Sequence, residues 1–168
     1  VKFPQDSMVR RMKGRAGTEV GILVKRGEEK IPFNIKRGKI PMHCVDAAFM
    51  INDTTGYIRL SKFSRTTFVE VSAAAEKLLD NNMKHLVFDL RDNSGGYLDQ
   101  ALLLSDMFLE KGDEIVYLQG LHQKREDYKA DGKGILKDVR LSVLMNENSA
   151  SSSEIFAGAM QDNDRGTI

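Results

Sequence analysis

Cysteine is almost missing from this chain. Cys44 stands alone among 168 residues, which excludes an internal disulfide framework and any cysteine-built metal cluster. Nor does either sign of charge dominate: 25 basic residues face 24 acidic ones, so net charge gives no reason to expect nucleic acid or an anionic membrane as partner. The local cluster Arg10, Arg11, Lys13 and Arg15 reads as a solvated helix face. No run of about 18 apolar residues occurs, and no charged-then-apolar leader opens the chain. This stretch is therefore expected neither to span a bilayer nor to carry an export signal of its own. Proline is scarce, and its three copies, Pro4, Pro32 and Pro41, all fall in the first quarter. Histidine is equally scarce.

What is present suits a folded core: 41% of residues are hydrophobic, enough at this length for one core, or one core with a small appended unit. The chain opens on a helix-like pattern and closes at "RGTI", where a turn has just led into two β-formers. It reads as a piece of a longer protein, so the missing leader says nothing about the parent's compartment.

Met8, Val9 and Met12 recur at helical spacing, with Gly14 as a stop. In "GTEVGILVKRGEEKIPFNIKRGKI", Val20, Ile22 and Val24 alternate, Gly27 begins a polar turn, and Ile31, Phe33 and Ile35 alternate again, which predicts a β-hairpin. The segment up to about Ile51 thus forms a small β-rich unit, with 41–55 as a linker. From "GYIRLSKF" onward strands and helices alternate. Thr67 and Glu70 have capping-box spacing, and Val71, Ala74, Ala75, Leu78 and Leu79 form one apolar stripe, predicting a helix over 67–80. "HLVFDL" has the continuous apolar character of a strand buried on both faces. "RDNSGG" is the turn after it, and "YLDQALLLSDMFLEKG" predicts a helix ending near Gly112. "EIVYL" and "VRLSVLMN" are two further strands flanking a polar loop over 120–137, and "SSSEIFAGAMQDN" is the last helix. Such alternation predicts an α/β layer with a largely parallel sheet.

In sheets of this kind, catalytic groups collect beyond the carboxyl ends of the strands. "RDNSGG" and "NENSASSSE" are the two loops expected there. A serine between strand end and helix start is met by unpaired N–H groups and by a dipole favouring developing negative charge, an environment suited to an oxyanion. Gly95 and Gly96 allow a close backbone approach that supplies a second donor. The same serines also read as ordinary turn and cap residues, because Ser151 and Glu154 have capping-box spacing. A nucleophilic serine further needs a base. His85 falls at the start of its strand and His43 in the first unit, so His122, in a loop, is the one loose candidate.

"GYIRLSKF", "HLVFDLRDNSGGYLDQALLLSDMFLEKG" and "VLMNENSASSSEIFAGAMQDNDRGTI" together resemble the tail-specific, or carboxyl-terminal processing, serine proteases over nearly the whole chain. "DLRDNSGG" corresponds to the family's D-L-R-x-N-x-G-G loop and "NENSASSSEIFAGAMQD" to its N-x-x-[ST]-A-S-A-S-E-I-x-A-G-A-x-x-D segment. "MVRRMKGRAGTEVGILVKRG" resembles the second half of the PDZ domain that precedes the catalytic core, whose first half would lie before Val1. The resemblance implies a crotonase/Clp-protease-like ββα core over 56–168 with a partial, β-rich PDZ domain over 1–40. It makes Ser151 the nucleophile, with the backbone N–H groups of Ser152 and Gly96 as oxyanion donors; Ser152 stands where the family usually has alanine. The base it implies is a lysine beyond Ile168, so the chain as given is expected to be inactive. Nothing in the spacing of Lys133 or Lys137 recommends them as substitutes. A buried lysine suits the task because desolvation lowers its pKa. The implied reaction is serine peptidase chemistry on protein or peptide substrates met through their C-terminal tails, without a cofactor, metal or nucleic acid. Work outside the cytoplasm, in the periplasm or peripherally at a membrane, is implied as well. A non-catalytic module binding peptides or apolar ligands on the same fold is the alternative, and the presence or replacement of the downstream lysine separates the two.

Overall fold

The structure is a computed structural model and describes residues 4–38 and 43–168. The chain divides into two compact units, Val1–Met42 and His43–Ile168. In the first, α1 (Gln5–Met12) precedes a hairpin of β1 (Glu19–Arg26) and β2 (Glu29–Lys36), paired antiparallel from Glu19 opposite Lys36 to Arg26 opposite Glu29. The alternation of Val20, Ile22 and Val24 is thus realised as a strand, with Gly27 at positive φ in its turn.

In the second unit, β3 (Val45–Met50), β4 (Thr55–Leu60), β5 (His85–Asp89) and β8 (Arg140–Leu144) form one sheet in the order β3-β4-β5-β8. β3 runs antiparallel to β4, while β4–β5 and β5–β8 are parallel. The expected linker therefore holds a strand: "VDAAFM" belongs to the sheet, and residues 41 and 42 lie outside the described residues. Thr167 makes an isolated parallel bridge to Ser142, so "RGTI" does turn into a strand position beside β8. β5 is buried on one face through Leu86 and Phe88, but Val87 on the other face is only half-buried.

Helix α2 spans Thr67–Asp80 and buries Val71, Ala74, Ala75 and Leu78, the predicted stripe. Its predicted Thr67–Glu70 box is not made. Thr66 is the N-cap, and the Thr67 hydroxyl is buried against the Ser64 amide. Glu70 accepts instead from the Thr66 hydroxyl at 2.7 Å and from the Cys44 and Val45 amides at 2.9 and 3.2 Å. Amides at the start of an edge strand need an acceptor, and this carboxylate supplies it. Helix α3 (Leu98–Asp106) stops six residues short of Gly112. The Met107 and Phe108 amides fold back onto the Leu104 and Ser105 carbonyls, and this tighter turn sends Phe108 and Leu109 into the core. The predicted polar loop contains a strand, β7 (Gln123–Lys129), which pairs with β6 (Glu114–Gly120) in a separate ribbon. "EIVYL" is accordingly not a member of the main sheet.

Helix α4 (Ser152–Asp162) follows β8. Phe88 of β5, Phe108 and Phe156 of α4 pack tilted or edge-on, with ring centroids 5.2 to 6.3 Å apart, a favoured aromatic geometry. This cluster fixes α4, and with it the serine loop, to the strand carrying the other loop.

Candidate active site

Asp89 and Leu144 pair at the carboxyl ends of β5 and β8, so the loops that follow leave the sheet side by side. Asn93 joins them. Its side chain donates to the Leu60 carbonyl at 2.8 Å and accepts from the Gly95 amide at 2.9 Å. Its carbonyl accepts from the Ala150 amide at 3.1 Å and from the Ser153 hydroxyl at 2.8 Å. Asp92, at φ 63°, adds an outer tie: its amide donates to Asn146 Oδ1, and its Oδ1 accepts from the Asn146 and Asn148 side chains, each at 2.9 Å. Those two amide side chains lower the Asp92 pKa. Asn93, Asp92 and Asn146 were not singled out from local sequence, although the N of "DLRDN" and the first N of "NENS" are fixed positions of the two motifs quoted above.

Below the loops, Asp89 is fully buried and accepts from the Arg91 guanidinium at 2.7 Å and the Tyr57 hydroxyl at 2.6 Å. Burial raises its pKa, but the hydrogen bonds from Arg91 and Tyr57 outweigh it and hold the carboxylate at about 2. A charged, fully bonded anion at this point keeps the first turn of the loop rigid.

The four serines separate clearly. Ser149 donates to the Leu90 carbonyl at 2.8 Å, Ser152 to the Gly96 carbonyl at 3.2 Å and Ser153 to the Asn93 carbonyl at 2.8 Å. Ser151 is the exposed one. It occupies φ 54°, ψ −115°, a region that side chains disfavour and that persists where surroundings enforce it; a nucleophile presented on a strand-to-helix elbow has this character. Glu154 Oε2 accepts from the Ser151 amide at 2.7 Å and so holds the elbow. The predicted S-x-x-E capping box of Ser151 and Glu154 is present; the Glu154 amide also bonds at 2.9 Å to the Ser151 carbonyl, and the Ser151 hydroxyl, unlike its three neighbours, is not tied to a backbone carbonyl.

The glycine pair lies against this elbow. A Cβ on Gly95 (φ 96°) would fall 2.8 Å from Ser151 Cβ and 2.9 Å from Ser152 N, and one on Gly96 (φ 151°) would fall 2.0 Å from the Phe63 carbonyl oxygen. Only glycine fits either place. No acceptor among the described residues takes the N–H of Gly96 or of Ser152. The expected nucleophile and donors are thus brought together, at the N-terminus of α4.

No histidine or lysine side chain bonds to Ser151 among the described residues. His43 lies by Glu70, His85 bonds to Ser142, Lys133 pairs with Asp131 and Lys137 with Glu110; His122 sits in the turn between β6 and β7. Nor do three or more His, Cys, Asp or Glu gather into a metal-binding group among the described residues.

The sequence is 35% identical over 161 residues to a probable CtpA-like serine protease of Staphylococcus epidermidis, covering 95% of this chain and 32% of that protein. It is 34% identical over 170 residues to one of Staphylococcus haemolyticus, covering 98% and 33%. The chain therefore spans about a third of the length of these relatives. Among solved structures, the photosystem II D1 C-terminal processing protease superposes with a TM-score of 0.65 at 28% identity, over 91% of this chain and 43% of that one. A putative S41 protease from Bacteroides fragilis shares the fold, with a TM-score of 0.63 at 16% identity, over 88% of this chain and 45% of the other. The sequence model of Peptidase family S41 matches residues 54–168, more than half of the chain, and the chain belongs to that family.

Proposed function

We propose that this chain is part of a serine endopeptidase that processes C-terminal regions of protein substrates. One observation carries the reading: of four clustered serines, three hydroxyls are tied to backbone carbonyls, and the fourth, Ser151, is exposed on a strained elbow beside two N–H groups that no acceptor among the described residues takes.

Ser151 Oγ attacks the peptide carbonyl, and a base takes its proton. The oxyanion is received by the N–H groups of Ser152 and Gly96. The proton goes to the leaving amine, giving an acyl-enzyme that water then hydrolyses. The base that the family resemblance implies is a downstream lysine, and among the described residues no histidine or lysine side chain bonds to Ser151. The relatives named as serine proteases and the C-terminal processing protease support the substrate class.

The PDZ assignment for the first unit is supported by an apolar groove of about 580 Å³ lined by Val9, Met12, Val20, Ile22 and Ile35, between α1 and the hairpin. Action outside the cytoplasm rests on the family resemblance, and fractionation of cells producing the parent protein tests it.

The activity test compares three proteins on an unstructured substrate with an apolar C-terminal tail: this chain, a form extended through the lysine, and that form with Ser151→Ala. Only the extended wild type should cut, with Ser151→Ala lowering turnover by at least about a thousandfold. Cutting by the alanine variant would remove Ser151 from the mechanism. An inert extended form would favour the binding module.

A further inference from the structure

Ser152 is expected to serve catalysis through its backbone, yet its side chain is also placed in the site. The residue is 1% exposed, and its hydroxyl donates to the Gly96 carbonyl at 3.2 Å. A buried hydroxyl keeps its partner, because leaving it unmade costs the desolvation of the group.

The orientation of Gly96 follows from its neighbours. Phe63 donates its amide to the Gly95 carbonyl at 2.9 Å, and its carbonyl accepts from the Tyr97 amide at 3.0 Å, the pattern of a parallel bridge between Phe63 and Gly96. In near-extended backbone the N–H and C=O of one residue point to the side opposite those of its neighbours. Since the Gly95 C=O and Tyr97 N–H face Phe63, the N–H and C=O of Gly96 both face the serine loop. The C=O meets Ser152 there, and the N–H is left open. Phe63 therefore holds the glycine from one side and the Ser152 hydroxyl from the other.

We infer that the Ser152 hydroxyl is a positioning group: by holding the Gly96 carbonyl it keeps the Gly96 N–H aimed at the oxyanion position and couples the two donors into one unit. This rests on the peptidase reading of the site. The side chain touches no reacting atom. Its effect is to reduce the orientations a Gly-Gly segment otherwise samples, which favours the charged tetrahedral species more than the bound substrate.

Two measurements on Ser152→Ala test it. In a form carrying the lysine base, kcat should fall about three- to tenfold with KM unchanged, as expected for loss of one neutral hydrogen bond felt only in the transition state. A peptidyl boronic acid, which forms a tetrahedral adduct with the serine, should weaken by the same factor. An uncleaved substrate peptide should bind Ser151→Ala and Ser151→Ala/Ser152→Ala alike. In this chain, the 15N order parameter of Gly96 should drop in Ser152→Ala, and Ser152→Thr should restore both the order parameter and kcat. An unchanged Gly96 order parameter, an unchanged kcat, or equal weakening of boronate and uncleaved peptide overturns the inference. If the lysine-bearing wild type cuts nothing, the peptidase reading falls and takes the catalytic consequence with it. The Gly96 order parameter then still decides whether the hydroxyl holds the loop.

Discussion

In Val1–Met42 the strands alternate as regularly as any in the molecule, yet none of the described residues of that unit is buried. Leu23 is 64% exposed and Phe33 42%. In His43–Ile168 the polar ribbon β6–β7 coexists with a continuous interior drawn from β4, β5, β8 and all three helices. Both units obey the same local rules, a period of 2 for strands and 3.6 for helices. Local pattern thus makes an element, but a second layer is needed to make a core. The described residues of that unit are one helix and one hairpin, and within them the apolar faces have no second layer to pack against. The site sits where closure is most complete, and its two loops inherit their precision from strands and a helix locked by the Phe88, Phe108 and Phe156 cluster.

The sharpest way to break this contrast is to empty the cluster. Phe156 is fully buried, and Phe156→Ala should cost about 3–5 kcal/mol in denaturant unfolding of the second unit. A cost under about 1 kcal/mol would show that the interior is not what holds the serine loop.

Glu70 comes next in magnitude, at the point where the second unit begins. Burial raises its pKa, but the Thr66 hydroxyl and the Cys44 and Val45 amides bring it down from 4.5 to about 2. Because the folded value is the lower one, the stabilisation is present in full above the unfolded pKa and is lost as pH falls from about 4.5 toward 2. It amounts to at most about 3 kcal/mol. Urea unfolding of wild type between pH 6 and 2 should show this loss, and Glu70→Gln should flatten it while lowering stability at neutral pH. Parallel pH curves for the two proteins would mean that the carboxylate does not anchor β3.

Much of this was legible in the sequence, for reasons visible in particular residues. The Val71–Leu78 stripe and the Val20–Val24 alternation each repeat a single period over a whole element, so α2 and the hairpin emerge where expected. Both site loops are marked by the change from an apolar strand to glycine, asparagine and serine. What was not legible depends on distant partners. "QKREDYK" is too polar to suggest a strand, and it is one because β6 offers an antiparallel partner while both faces meet water. "MFLE" continues a helical pattern, but Phe108 turns away to meet Phe88 and Phe156. The spacing of Thr67 and Glu70 fits a local box, yet Glu70 serves amides more than twenty residues earlier. At the site, which of the four serines is free could not be read from spacing, because three are claimed by carbonyls of Leu90, Gly96 and Asn93, contributed by the other loop.

The smallest expected effect is the most telling for the contrast between the units. Leu23→Thr replaces an exposed apolar side chain by another β-former on a strand whose partner contacts are main-chain bonds. It should change stability by no more than about 0.5 kcal/mol. Amide exchange is the suitable probe, since it resolves local openings: β1 and β2 amides should exchange through lower-energy openings than those of β5 and β8, and Leu23→Thr should leave both sets in place. A loss above about 2 kcal/mol confined to β1 and β2 would mean that this face is covered in solution, and the first unit would then have the second layer that its own elements do not supply.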